Sequence, residues 1–216
     1  MAKSPRPQKN DQQTEDKILQ AARTVFIRHG TAGARMQEIA EEAGVNQALL
    51  HYYFRSKERL SAAVFQQVAR QLFPRLFQTL GSDLPLDEKV DLIVNAYIDT
   101  LSQNRFMPAY VLSELHHHPE RAEQMLTSGM GGEPSRVLAP VVAKLKSQID
   151  AEVKAGRIRP ISPQELIVNM LSLCVFPFAA RPLFAVALGL DETHFSAFIK
   201  RRRKNLPAFI RMALRP

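Results

Sequence analysis

Gln47, Ala48 and His51 stand at the polar start of a short segment whose other face is apolar, and Tyr52, Tyr53, Arg55 and Lys57 follow closely. At the first turn of a second helix, such positions are the ones a helix-turn-helix presents to base edges in a DNA groove. Tyrosine hydroxyls and lysine ammoniums beside them suit phosphate oxygens, and Gln37 on the preceding segment is placed for the same role. A second group with chemical potential begins at Glu114 and runs through His116, His117 and His118. Glu114 and His117 form one Glu-x-x-His unit, which puts both side chains on one helical face. Di-iron bundles need two such units and two further carboxylates, and the sequence holds no second one. Three consecutive histidines project about 100° apart on a helix and cannot converge on one ion. The alternative they leave is a helical metal-binding protein or metalloenzyme using Glu114 to His118; no metal site is expected. Hydrolase, phosphate-loop and zinc-protease signatures are absent, so the expectation is a protein that is not an enzyme and needs no cofactor.

The elements around the first group are legible. Ile39, Ala40 and Ala43 recur on one helical face. Gly44 supplies the left-handed backbone that ends a helix without a Cβ clash. Val45 can bury between the two helices, Asn46 can cap the second, and Leu49 and Leu50 face inward. Upstream, a helix is predicted over residues 15–29, with Thr14 as cap, Glu15 and Asp16 against the positive helix end, and Gly30 as stop. Its buried face is Ile18, Ala22, Val25 and Phe26. Downstream, Ser56 can cap a long helix carrying Leu60, Val64, Val68, Leu72, Leu76 and Leu80 every fourth residue. Pro74 should kink or break it, and Gly81, Ser82, Asp83 and Pro85 close it.

Residues 36–60 resemble the DNA-binding segment of the TetR family of bacterial regulators. The shared pattern is an Ile-Ala pair (Ile39-Ala40), Ala-Gly-Val (Ala43-Gly44-Val45), a Leu-x-x-x-Phe run (Leu50 to Phe54) and Ser-Lys-Glu-x-Leu (Ser56 to Leu60). Two departures stand out: Ala34 and Arg35 occupy the place where members often carry Ser or Thr, and His51 stands where many have Tyr. The resemblance implies an all-α protein with an N-terminal three-helix domain bearing the helix-turn-helix, then a larger helical domain for ligand binding and dimerisation. It implies a sequence-specific transcriptional regulator, most often a ligand-responsive repressor that binds a palindromic double-stranded operator as a homodimer. The DNA-contacting set becomes Gln37, Asn46, Gln47, Ala48, His51, Tyr52, Tyr53 and Lys57. The last two helices, predicted over residues 163–188 and 191–214, take the dimerisation role.

The totals agree with that outline. The chain has 216 residues, 45% of them hydrophobic and 23% charged, ordinary values for a folded protein. A net charge of +8 suits a polyanionic partner, although anionic membrane surfaces would suit it too. Its one cysteine, Cys174, excludes an internal disulfide and fits a reducing cytoplasm. Residues 1–13 read as a flexible arm with Lys3, Arg6 and Lys9, residues 14–56 as the DNA-binding domain, and residues 57–216 as the effector-binding and dimerisation domain with helix 57–80 as a lever. Further helices are predicted over 86–103, 108–117, 119–126 and 135–155, with a flexible loop at 129–134. The most apolar stretch, 166–190, is interrupted by Asn169, Pro177, Arg181 and Pro182, so it reads as a buried helix and no membrane partner is expected. Tyr97, Phe106, Tyr110 and Phe176 are candidates for lining a pocket for a small-molecule effector. Lys200 to Lys204 is a basic run that winds around a whole helix circumference, which reads as a solvated segment paired with carboxylates from elsewhere.

Overall fold

Glycine, proline and a few capping side chains decide where this chain changes direction. The computed structural model describes residues 9–130 and 132–216. Among these the elements are helical throughout: α1 (Lys9–Gly33), α2 (Met36–Ala43), α3 (Gln47–Phe54), α4 (Lys57–Leu80), α5 (Leu86–Gln103), α6 (Met107–His117), α7 (Arg121–Met130), α8 (Pro134–Lys154), α9 (Pro163–Ala179), α10 (Arg181–Leu188) and α11 (Glu192–Ala213). The chain divides into two compact units between Val68 and Ala69, inside α4. The sequence reading places its domain boundary twelve residues earlier, at the start of α4. The difference arises because Leu60, Val64, Phe65 and Val68 are buried alongside the residues before them.

In the first unit α1 packs on α2, and α2 on α3. Ile18, Ala22, Val25 and Phe26 of α1, Ile39 and Ala40 of α2, and Leu50 and Phe54 of α3 are buried. Helix α1 begins at Lys9, so residues 9–13 of the expected arm are helical, with Asp11 favourably placed in the first turn. Lys3 and Arg6 lie outside the described residues. Gly30 interrupts α1 with φ 67°, which matches its expected stop role, and one further turn follows before α2.

The second unit has its own core. Helix α5 lies between α9 and α11, and α6 and α8 also pack on α9. Val90, Val94 and Ile98 of α5 are buried with Leu145 of α8, Met170 and Cys174 of α9, and Phe195 and Leu206 of α11. The expected single helix over 163–188 is two helices bent by 71° at Ala180. Pro182 has no N–H to continue the α9 ladder, while its fixed φ suits the first turn of a new helix. Pro74, by contrast, is carried inside α4 without ending it. The expected loop at 129–134 begins later than predicted, because α7 continues through Gly129 to Met130. No single described helix is long and apolar enough to cross a membrane.

Two polar groups in this core escaped the sequence reading. The Lys89 ammonium is buried yet donates to the Leu80 carbonyl and to Gln148 Oε1, both at 2.8 Å, while Gln148 donates to the Leu84 carbonyl. Burial pulls the Lys89 pKa down, with the Lys144 charge adding to it. Arg202 of α11 donates to the Leu173 carbonyl through Nε and Nη2, at 3.1 and 2.8 Å. In an uninterrupted helix that carbonyl would accept from residue 177, but Pro177 has no N–H to give.

Candidate nucleic-acid interface and apolar cavity

The turn between α2 and α3 is built as its residue types require. Gly44 has φ 65° and ψ 34°, and its N–H and that of Val45 close the end of α2 on the carbonyls of Glu41 and Ala40. Asn46 Oδ1 then accepts from Leu49 N at 2.7 Å, capping α3. With Leu50 and Phe54 buried, Gln47, Ala48, His51 and Tyr52 are left exposed. Tyr52 is 77% exposed and meets the Tyr53 ring edge-on. His51 Nδ1 lies 3.3 Å from the Arg55 carbonyl. A carbonyl only accepts, so in the neutral ring Nδ1 carries the proton and the exposed Nε2 presents a lone pair. Gln37 is exposed on α2 and donates to Glu41 Oε1 at 3.0 Å.

Two expected contact residues also serve inside the unit. Tyr53 is half-buried, and its hydroxyl donates to Asp11 of α1 at 3.2 Å. Burial and the Asp11 carboxylate hold this phenol above its usual range. The Lys57 ammonium donates to the carbonyls of Ala32 and Ala34 at 3.0 and 3.2 Å, clasping the start of α4 to the α1–α2 connection. Arg35 and Arg55 are exposed cations on either side of the two short helices, and Arg55 holds φ 55°, uncommon for a residue with a side chain.

The comparisons with known proteins fall on this unit first. A family described as bacterial regulatory proteins, tetR family, matches residues 18–64, which span α1 to the first part of α4. The chain is 31% identical over 157 residues to the transcriptional regulator RutR of Escherichia coli, an alignment covering 69% of this chain and 66% of RutR. It is 25% identical over 185 residues to the transcriptional repressor NicS of Pseudomonas putida, covering 82% of each. The chain belongs to the TetR family. Two solved structures share the fold of this TetR-family chain: FadR of Bacillus subtilis in complex with stearoyl-CoA (TM-score 0.56, 13% identity, 90% of this chain and 96% of that one) and FadR of Bacillus halodurans (TM-score 0.57, 17% identity, 95% and 97%).

In the second unit of this TetR-family chain a cavity of about 140 Å³ opens between α4, α5, α6, α7 and α9. Of the four aromatic residues expected to line a pocket, Tyr97 lines this one; Phe106, Tyr110 and Phe176 lie outside its lining. Phe106 sits under the Arg181 guanidinium, Phe176 packs edge-on against Phe184, and Tyr110 is buried elsewhere in α6. Phe73, Leu101, Met107, Val111 and Met125 complete most of the wall, positions that apolar periodicity alone does not distinguish from ordinary core.

The histidine segment is held by local polar contacts. Glu114 is buried and paired with Arg121, His117 Nδ1 faces its own helix at the Ser113 carbonyl, and His118 points toward Glu120. No group of three His, Cys, Asp or Glu side chains arranged to hold a metal ion occurs among the described residues. In the basic run, Arg203 pairs with Asp99 at 2.8 Å and Arg202 turns inward to Leu173, while Lys200, Arg201 and Lys204 are exposed.

Proposed function

We propose that the protein is a cytoplasmic, ligand-responsive repressor that binds a palindromic DNA operator as a homodimer. The observation that carries this reading is the exposed face of α3, where Gln47, Ala48, His51 and Tyr52 project from a helix capped by Asn46 and anchored by Leu50 and Phe54. Two such helices enter successive major grooves about 34 Å apart. Gln47 reads base edges, and His51, whose Nδ1 lies against the Arg55 carbonyl, presents its other ring edge to the same groove. Phosphates are held by Tyr52, Gln37, Arg35 and Arg55. Tyr53 and Lys57 act chiefly as struts that fix α3 and α4 on α1, with the remaining ammonium proton of Lys57 available to a phosphate.

The dimer interface is assigned to α9 and α11, whose Val168, Phe209 and Met212 remain exposed in the single chain. Apolar surface of this kind, on elements that otherwise form a closed core, favours burial against a second copy. The cavity supports effector binding, and Phe73 in its wall belongs to α4, the helix that starts at Lys57 beside the recognition helix. A ligand that displaces Phe73 tilts this lever. To weaken operator binding a hundredfold it must favour the non-binding state by about 2.7 kcal/mol.

Selection of bound fragments from random duplexes, with sedimentation of the purified protein, tests this directly. A dimer at micromolar concentration and an inverted-repeat consensus are expected. A protein that stays monomeric, or that enriches no sequence at low ionic strength, overturns the reading.

A further inference from the structure

The cavity between α4, α5, α6, α7 and α9 is defined by what its wall lacks. No charged side chain lines it among the described residues, and the surface that Phe73, Leu101, Met107, Val111, Met125 and their neighbours present is apolar throughout. Tyr97 also lines it but adds no polar surface. The side chain is buried, and its hydroxyl finds no hydrogen-bond partner among the described residues. Burial holds that phenol above its usual range, so it stays protonated. Water is a poor occupant of such a space, because a buried water needs two to four polar partners.

Size and chemistry together narrow what can fill it. An engineered protein cavity of roughly 150 Å³, lined by Leu, Ile and Phe, stays dry and takes up benzene; the volume here is about 140 Å³. One ring with a small alkyl substituent fills that space, and two fused rings exceed it. An ionised group would lose its hydration with no counter-charge in the lining, and a hydroxyl or amide would lose its hydrogen bonds with no partner there. Aromatic contact is available from Phe73, stacked on Phe77 with ring centres 5.7 Å apart, and from the thioether side chains of Met107 and Met125. Leu112, about half exposed, stands at the rim where the cavity meets solvent.

We infer that the cavity takes a monocyclic aromatic hydrocarbon, a molecule of about the size of toluene with no hydrogen-bonding group. The inference rests on the ligand-responsive reading above and names the chemical class of the effector. Affinity then comes from apolar burial and ring contacts alone, and selectivity from the cost of stranding any polar group against this wall. A long-chain acyl thioester is excluded twice, by its charged head and by its length.

The test uses the full-length protein and calorimetric titration with toluene, phenol, benzoate and naphthalene. Phenol matches toluene in shape and carries a hydroxyl in place of the methyl group. Toluene should bind with a dissociation constant of about 1 mM or tighter, phenol roughly tenfold or more weakly, and benzoate and naphthalene without measurable heat. Val175→Phe, which fills the cavity from α9, should abolish toluene binding while circular dichroism stays unchanged. Met125→Ala, which widens the cavity from α7, keeps the test decisive should the first variant fail to fold: it should admit naphthalene. Absence of toluene binding overturns the inference, as does binding of phenol or benzoate as tight as that of toluene. Toluene binding that survives Val175→Phe, naphthalene binding to the native protein, or its continued exclusion from Met125→Ala would overturn it equally. Operator affinity is measured separately with and without toluene. Binding with this selectivity but no change in operator affinity would sustain the cavity assignment and overturn the ligand-responsive reading.

Discussion

Replacing Arg202 with leucine leaves the Leu173 carbonyl facing a proline on its own helix and an apolar side chain on the next. In the native protein two guanidinium N–H groups, at 2.8 and 3.1 Å, occupy that acceptor. A hydrogen bond from a charged group is worth about 1.5–3 kcal/mol when an acceptor is left unsatisfied. Two donors share one carbonyl, so a single such bond is the appropriate measure. The guanidinium also lies 5.9 Å from the Phe198 ring centre, adding about 0.5 kcal/mol. Arg202 is only partly buried and its head group recovers some hydration in the unfolded chain, so the net loss expected is about 2 kcal/mol. Pro177→Ala provides the second arm of a double-mutant cycle, because it restores the N–H that an ordinary helix would aim at Leu173. In that background Arg202→Leu should lose less than about 1 kcal/mol, giving a coupling of at least 1 kcal/mol, larger than the additivity error for independent sites. Urea unfolding at fixed protein concentration gives each corner, with concentration held constant because dimerisation would shift apparent stability. Additive losses in the two backgrounds would refute the assignment of Arg202 as the surrogate donor for Pro177.

Three further outcomes are expected. Gly44→Ala introduces a Cβ that meets nothing within 4 Å, so its effect is confined to the φ of 65°. A loss of about 1–2 kcal/mol in thermal unfolding is expected, and a neutral change would show the turn to be adaptable. Gln47→Ala should weaken the selected operator by about 1–3 kcal/mol and relax preference at one base position, whereas Arg55→Ala should weaken all duplexes alike and reduce the salt slope by about one. Fluorescence anisotropy separates the two, and the same loss on cognate and random DNA for Gln47→Ala would remove its reading role. Burial pushes the Cys174 thiol up to about 12, from an ordinary value near 9. The unfolded thiol therefore ionises first: the associated stability is complete below about pH 9 and falls as pH rises toward about 12, by up to roughly 1.4 kcal/mol per unit. Cys174→Ala should flatten the urea midpoint between pH 9 and 10, before Tyr97 begins to contribute, and an unchanged slope would contradict the burial.

Local chemistry wrote much of the recognition unit openly. Gly44, Asn46 and Ser56 mark their helix ends because left-handed backbone and capping oxygens act within three residues, and each is where the residue types require. Reach across the sequence is a different matter. Nothing in the composition around Tyr53 or Lys57 says that they turn toward Asp11, Ala32 and Ala34, more than twenty residues away. An exposed-looking cation or phenol beside a recognition helix reads as a phosphate contact until the packing partner is known.

The cavity shows the same division. Helical periodicity separates buried from exposed positions, but a wall and a filled core have the same apolar signature, so Tyr97 is distinguished from Phe106, Tyr110 and Phe176 by which helices meet. From its amino acids alone this chain is all-helical and carries a helix-turn-helix, since propensity, periodicity and caps are short-range properties. The destination of Arg202, the unpaired Tyr97 hydroxyl and the volume beside it were decided by tertiary packing. They depend on side chains brought together from distant turns, whose relative placement no local pattern records.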